Sequence, residues 1–423
     1  MEVITHGEVD LFIDCINKSK LEDLGSKRWF ESHDRLQKLN QQATIEAVEH
    51  REEYIKDQII SHGKVPVIVY ESICIAVWRE KVLPELLRLS RNPDQSFTIY
   101  FVLFHETVAI GLLQKILFHE DGVQALGSHA LDLFDHVFMA ITHLAIGDSN
   151  NFNLGTQSKD TDIKDDIEEQ NLKIQFEVGI ECIGIMFNML LHIKSLSLTI
   201  ASRMTKNNDV PMLICHLLNN KPWVKSENEK TYIFQENVWK IKKTNDNLIP
   251  KQEAHLWMSL YEFFMAEQLR NNYEITHFRK KNLVQLQSLL NDNILNQISP
   301  LINLKECLYR LTLTEASMIN KSPIFIEITA EIRKTLQESY SKKWKKIAKV
   351  QSSYLFGNDI NDIAKSLSKT YENIANFEIQ EKICANCQQP AKNRCSQCKI
   401  KWYCSRKCQV NDWNTHKNNC LKI

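Results

Sequence analysis

From Leu336 onward, apolar side chains return at Leu336, Tyr340, Trp344, Ile347 and Ala348, a spacing of i, i+4, i+8, i+11 and i+12. Lys342, Lys343, Lys345, Lys346 and Lys349 fall mostly off that stripe. The period predicts an amphipathic helix with one buried stripe and a basic outer face. Such a helix also suits a membrane-surface or calmodulin-type element, but a solvated outer face is the simpler expectation. The breakers fall between helical stretches: His62-Gly63-Lys64-Val65-Pro66, Asn92-Pro93-Asp94, Asp121-Gly122, Val210-Pro211, Lys221-Pro222-Trp223, Ser299-Pro300 and Ser322-Pro323. Their intervals vary, so no fixed repeat emerges. An all-α body is expected, built as an irregular helical solenoid or a bundle. One β exception is a hairpin near 232–241, where Tyr232-Ile233-Phe234 and Val238-Trp239-Lys240-Ile241 flank Gln235-Glu236-Asn237.

Residues 148–171 interrupt the apolar pattern. Asp160, Asp162, Asp165, Asp166, Glu168 and Glu169 stand there among few apolar side chains. They predict an acidic flexible loop between an N-terminal helical region, 1–147, and a second one, 172–383. No EF-hand spacing marks it as a cation site. The stretch from Ser352 to Lys382 is expected to be helical in part and leads to the final module.

Composition strengthens the helical reading. Eleven Gly and nine Pro in 423 residues are well below the usual share of about 7% and 5%. The start, Met1-Glu2-Val3-Ile4-Thr5-His6, has no charged region followed by an apolar core, so no targeting segment is expected. The apolar tracts Ile73–Trp78 and Ile180–Leu191 are too short or too interrupted to predict a membrane span. The ending Cys420-Leu421-Lys422-Ile423 mimics a prenylation box, but Lys422 is wrong for an aliphatic position. Cys15, Cys74, Cys182, Cys215 and Cys307 are scattered, which predicts buried free thiols and a reducing compartment.

The other seven of twelve cysteines crowd the last forty residues. They read Cys384-x2-Cys387-x7-Cys395-x2-Cys398-x5-Cys404-x3-Cys408-x7-His416-x3-Cys420. Eight such donors form two sets of four, which is what tetrahedral zinc requires. The Cys-x2-Cys pairs fit turns that converge on one ion. Cys404 and Cys408, like His416 and Cys420, lie four apart and can share a helix face. Trp402, Tyr403, Val410 and Trp413 are the apolar side chains available to wedge between the two sites. A site closed by four protein ligands leaves no position for a substrate water, so the metal argues for structure and binding instead of catalysis. So short a module cannot bury a self-sufficient core, and zinc must supply its folding free energy, about 10–16 kcal/mol per ion in model peptides. Disulfides are disfavoured by the histidine in register.

Residues 384–423 carry eight Lys or Arg and one acid, Asp412. Residues 1–383 hold 44 basic and 51 acidic side chains, so the zero net charge of the chain conceals a basic tip on an acidic body. Seven thiolates and two dications reduce the tip to about +4. The ligand spacing is not that of DNA-reading fingers, so a partner-facing surface is expected before nucleic-acid binding. Enzyme signatures are lacking. His105-Glu106-Thr107-Val108-Ala109 begins like a zincin helix without its second histidine, and no phosphate loop, nucleophile elbow or dinucleotide fingerprint occurs. His192 and His216, on apolar stretches, are expected to be satisfied core histidines.

The run Trp402-Tyr403-Cys404-x3-Cys408-Gln409 … Trp413-x2-His416-x3-Cys420 closely resembles a MYND-type zinc finger. HIT-type fingers share the ligand spacing, but Gln409 and Trp413 favour MYND. The resemblance implies interleaved sites: Cys384, Cys387, Cys404 and Cys408 on one zinc, and Cys395, Cys398, His416 and Cys420 on the other. Spacing alone leaves a sequential pairing open. MYND fingers typically bind short, often Pro-containing peptides of partner proteins. The methyltransferases that carry a MYND finger place it early, within β-structure and an Asn-His-x-Cys signature that is missing here.

The body also resembles one family with a terminal MYND finger, the cytoplasmic assembly factors of axonemal dynein arms. The residues that carry this likeness are His62–Pro66, Ser195–Leu198 with Ser202-Arg203-Met204, Pro222-Trp223, Leu311–Glu315, and Lys343-Trp344 with Ile347-Ala348-Lys349. The 148–171 loop diverges. The resemblance implies a non-enzymatic scaffold in the cytoplasm, near centrioles or the base of cilia. It also implies partners: leucine-rich-repeat assembly factors, chaperones and co-chaperones, and axonemal dynein heavy or intermediate chains. The alternatives are a nuclear co-repressor adaptor, which no strong import signal supports, and a RING-like ligase, whose longer ligand spacing is absent.

Overall fold

The computed structural model describes residues 3–89, 96–147, 163–227, 229–235, 237–242, 247–313 and 330–356, and, near the C-terminus, 384–389, 391, 393–395, 397, 401–417 and 420. The chain falls into two compact units, Met1–Asn361 and Asp362–Ile423. The first is helical apart from one small sheet. Its main helices are α1 (Lys27–Glu49), α2 (Val65–Lys81), α3 (Ser96–Ile116), α4 (Ala130–Ile146), α5 (Ile163–Leu191), α6 (Lys251–Met265), α7 (Ile332–Tyr340) and α8 (Trp344–Leu355).

Local chemistry fixes several boundaries. Ser26 caps α1 by accepting from the Trp29 N–H, and His50 ends it in the left-handed region at φ 51°. The expected break at His62–Pro66 is present: Gly63 takes φ 62°, and Pro66 opens α2, where its missing N–H costs nothing. α2 is buried almost all round, from Val65 to Trp78, which makes it a core helix. α3 packs on α1, α2 and α5, while α5 also packs on α4 and α6.

Three expectations change at this level. The acidic segment was expected to be a loop through 171, yet α5 begins at Ile163. Asp165 and Asp166 sit in its first turn, where they complement the helix dipole, and Ile167 and Ile174 turn inward at 1% and 2% exposure. Residues 148–162 lie outside the described residues. The helices on either side of that segment pack together within one unit. Second, the single helix expected from Leu336 onward is two, α7 and α8, broken at Ser341–Lys343. Its stripe survives the break: Leu336, Ile347 and Ala348 are buried and the five lysines exposed. Third, by length and composition alone, Phe97–Ile116 and Asp165–Leu191 are long and apolar enough to cross a membrane. They are core helices here, with most of each apolar stretch buried by neighbouring helices.

The chain closes on itself. α7 returns to α2, and α8 to the helix Leu83–Leu89 and the turn Leu21–Asp23. Gln351 of α8, fully buried, accepts from Trp78 Nε1 at 2.8 Å and donates to the Leu21 carbonyl at 2.9 Å. Gly25 (φ 82°) lets the backbone pass Leu355, where a Cβ would collide with the leucine side chain. These contacts span 273 positions from Trp78 to Gln351 and 330 from Leu21 to Gln351, so the unit is not a stack in which each element meets only its sequence neighbours. Of the two architectures left open by the sequence, the bundle fits.

The hairpin is present and gains a strand. β1 (Val224–Glu227), β2 (Lys230–Gln235) and β3 (Val238–Ile241) form an antiparallel sheet, with Phe234 opposite Trp239. Phe176 of α5 meets both rings, which seals the sheet to the helices.

Histidines mark the polar core, though not the ones expected. His192 is half-buried on the Phe118 carbonyl, and His216 is exposed on the Ala145 carbonyl. Instead His33 and His105 are buried, with their Nδ1 atoms 2.8 Å apart, and His105 Nε2 lies 3.3 Å from Glu71. Glu106, which follows His105, faces Arg79 and His136 in the core. The zincin-like run is therefore a packing feature.

Candidate metal centre

The second unit is built around its cysteines. Cys384–Cys387 form a tight turn, closed by the Gln388 N–H on the Cys384 carbonyl at 2.9 Å and by the Cys384 N–H on the Gln389 carbonyl at 2.8 Å. Gln388 takes φ 58° to complete it. β4 (Asn393–Arg394) pairs antiparallel with β5 (Trp402–Tyr403), and the Cys395 N–H reaches the Lys401 carbonyl at 2.9 Å. The Ala385 N–H reaches the Trp402 carbonyl at 2.9 Å, which sets the turn beside β5. Helix α9 (Arg406–His416) follows, capped by Ser405, whose side chain accepts from the Cys408 N–H. Cys404 therefore precedes the helix and does not share its face with Cys408, and Cys420 follows the helix that carries His416. At the first pair the Ser405 cap, not helix periodicity, brings Cys404 and Cys408 together.

Two donor groups result. Cys384, Cys387, Cys404 and Cys408 have their sulfurs within 4.8 Å of one another, and so do the donor atoms of Cys395, His416 and Cys420. The pairing is interleaved, as the MYND resemblance implies. Cys398, the expected fourth ligand of the second group, lies outside the described residues. Measured edges are 3.4 Å for Cys387–Cys404 and Cys404–Cys408, 3.7 Å for Cys387–Cys408 and 3.8 Å for Cys395–Cys420. A tetrahedron with zinc–sulfur bonds of about 2.3 Å has edges of about 3.8 Å. The edges lie within about 0.4 Å of that value, so zinc fits with a small outward shift of the sulfurs.

Thiol chemistry points the same way. The Cys404 thiol is pushed up to about 12 by the Cys387 and Cys408 thiols beside it. At Cys384 burial opposes ionisation, but backbone N–H groups of Cys404, Asn386 and Cys387 outweigh it and draw the thiol down to about 6. The Cys408 thiol is also drawn down and the Cys387 thiol also pushed up, so two thiolates form readily in this cluster and two resist. A dication that binds four thiolates at once removes the conflict. Four protein donors make the first site a closed structural one.

The core of the module is Cys384, Ala391, Cys395 and Tyr403, with Trp402 packed on its edge. Val410 and Trp413, expected to wedge between the sites, are 63% and 37% exposed on α9. Asp412 does what the charge count did not foresee. Its carboxylate accepts from the Tyr403 hydroxyl at 2.7 Å and from Lys401 at 3.0 Å, tying α9 to β5. These two bonds, Tyr403 foremost, hold the Asp412 carboxyl below its ordinary range. A lone acid among eight basic residues was the available signal.

The MYND finger family matches residues 384–420. Residues 384–420 are thus a MYND finger, a protein-interaction module. Across 98% of its length the chain is 30% identical to the zinc finger MYND domain-containing protein 10 homolog of Drosophila melanogaster, covering 98% of that protein. The chain belongs to the family of zinc finger MYND domain-containing protein 10. Family and finger together make it a protein-interaction adaptor that binds zinc. Ubiquitin carboxyl-terminal hydrolase 15 of Arabidopsis thaliana is 50% identical over 42 residues, 10% of this chain and 4% of that protein. Ubiquitin C-terminal hydrolase 15 of Oryza sativa subsp. japonica is 55% identical over 38 residues, 9% and 4% of the two chains. Matches of that length are finger-sized and bring no hydrolase chemistry to the helical unit. No solved structure matches the chain.

Proposed function

We propose that the chain is a non-enzymatic cytoplasmic scaffold for the pre-assembly of axonemal inner and outer dynein arms, and so for the motility of cilia. The helical unit holds client dynein chains near chaperones and co-chaperones. The finger docks a further assembly factor of leucine-rich-repeat type. The supporting observation is the likeness over nearly the whole chain to a family member, joined to a finger that has two zinc-donor groups and whose α9 leaves Val410 and Trp413 exposed.

The test is affinity purification from ciliating cells, read by mass spectrometry, with the full chain and its Cys408→Ala variant. Axonemal dynein chains and chaperones should accompany the full chain, and one specific partner should vanish with the variant. Co-repressor subunits in their place would make the protein a nuclear adaptor and overturn the reading.

A further inference from the structure

Helix α8 has two faces with opposite fates. Ile347, Ala348, Gln351 and Leu355 are buried against the body. Lys345, Lys346 and Lys349 point outward and are exposed, as is Lys342 in the preceding turn. Other lysines of this unit meet carboxylates: Lys38 with Asp34 at 2.6 Å, Lys56 with Asp121 at 3.1 Å, Lys221 with Glu253 at 2.7 Å. Among the described residues, none of these four, Lys342, Lys345, Lys346 and Lys349, is in an ion pair. Four uncompensated cations within eight positions reverse the sign of a body that holds 44 basic and 51 acidic residues.

We propose that this face is a docking surface, separate from the zinc finger, for an acidic extended segment of a partner protein. The spacing suits such a segment. Lys345 and Lys349 are about 6 Å apart along the helix axis. Alternate side chains of an extended peptide repeat every ~6.6 Å on one face. An Asp- or Glu-rich strand laid along α8 therefore meets a lysine with every second carboxylate. A lipid surface fits less well, because the apolar side of α8 is committed to the core and Val350 alone is a shallow anchor on the outer side. Nucleic acid also fits less well. The face carries lysines and no arginine fork, and Lys343 lies over the Tyr340 ring, 5.6 Å from its centroid, where a base would stack.

The experiment uses the full zinc-loaded chain and a fluorescein-labelled decaglutamate peptide, with anisotropy read at 50 and 200 mM NaCl. The triple variant Lys345→Glu/Lys346→Glu/Lys349→Glu is compared with a matched reversal at the exposed Lys27, Lys230 and Lys251. The first should weaken binding at least tenfold and the second less than twofold, with salt weakening the wild type. A Lys→Ala triple at the same three α8 positions serves if the Glu triple melts early. Cys408→Ala should leave binding unchanged, which keeps this surface distinct from finger docking. Equal losses in both triples, or no saturable binding, overturn the proposal. Tighter binding of phosphatidylserine vesicles or an oligothymidylate than of the peptide overturns it too.

Discussion

Two buried imidazoles weaken the helical unit in acid. Burial, and then the neighbouring His105, hold the His33 pKa well below its usual value, so the native ring stays neutral. His255 is likewise drawn down to about 4, by burial and then Lys251. In the unfolded chain both rings take a proton near pH 6.5. The unfolded state then binds more protons than the native one, and stability falls as pH drops below about 6.5. For His255 the loss at pH 5 is about 2 kcal/mol, and His33 adds to it in the same direction. Urea midpoints read by circular dichroism should therefore decline between pH 7 and 5, and His33→Gln should flatten that slope. An unchanged slope would mean that His33 is charged in the native state. Glu106 adds a lower window. Burial opposes its ionisation, but Arg79 and then His136 prevail and hold it at about 2, so its contribution is lost only below about pH 4.3.

At the scale of elements, α8 is the clasp of the helical unit, and Gln351 is its bolt. Gln351→Leu keeps the volume but leaves the Trp78 N–H and the Leu21 carbonyl buried without a partner. That should cost about 1–3 kcal/mol in urea denaturation, with the slope unchanged. No shift in midpoint would show that water replaces the amide. Elements were also where the sequence was partly opaque. Periodicity found the stripe from Leu336 to Ala348 because its apolar side chains keep one phase across the break. It missed the break itself, since three exposed residues leave no apolar mark. The acids of residues 165–169 read as loop because charge on the outer face of a long helix looks like solvation until Ile167 and Ile174 are seen buried. The eight-donor spacing was legible at once, because metal ligands are few and chemically narrow. Asp412 was not, because its partners Tyr403 and Lys401 lie nine and eleven positions away across a turn.

On the whole-molecule scale the two compact units differ in what holds them. The helical unit has a core of Trp78, Trp223, Trp257 and Phe263, all fully buried, whereas the finger has Tyr403, Ala391 and thiols. A strong zinc chelator should thus release about two zinc ions per chain and unfold the finger. The far-UV helical signal should stay within about a tenth of its starting value, since α9 is one short helix among many. Collapse of the whole helical signal would mean that the finger supports the body.

The interleaved pairing has a consequence in chain statistics. The first ion closes a loop from Cys384 to Cys408, and the second closes one from Cys395 to Cys420 that overlaps it by more than half. Once either loop is closed, the ends of the other are already near one another, and the entropy of the second closure falls. The finger should therefore fill cooperatively. When zinc is scarce, a population of these chains divides into fully loaded and empty molecules, with few carrying a single ion.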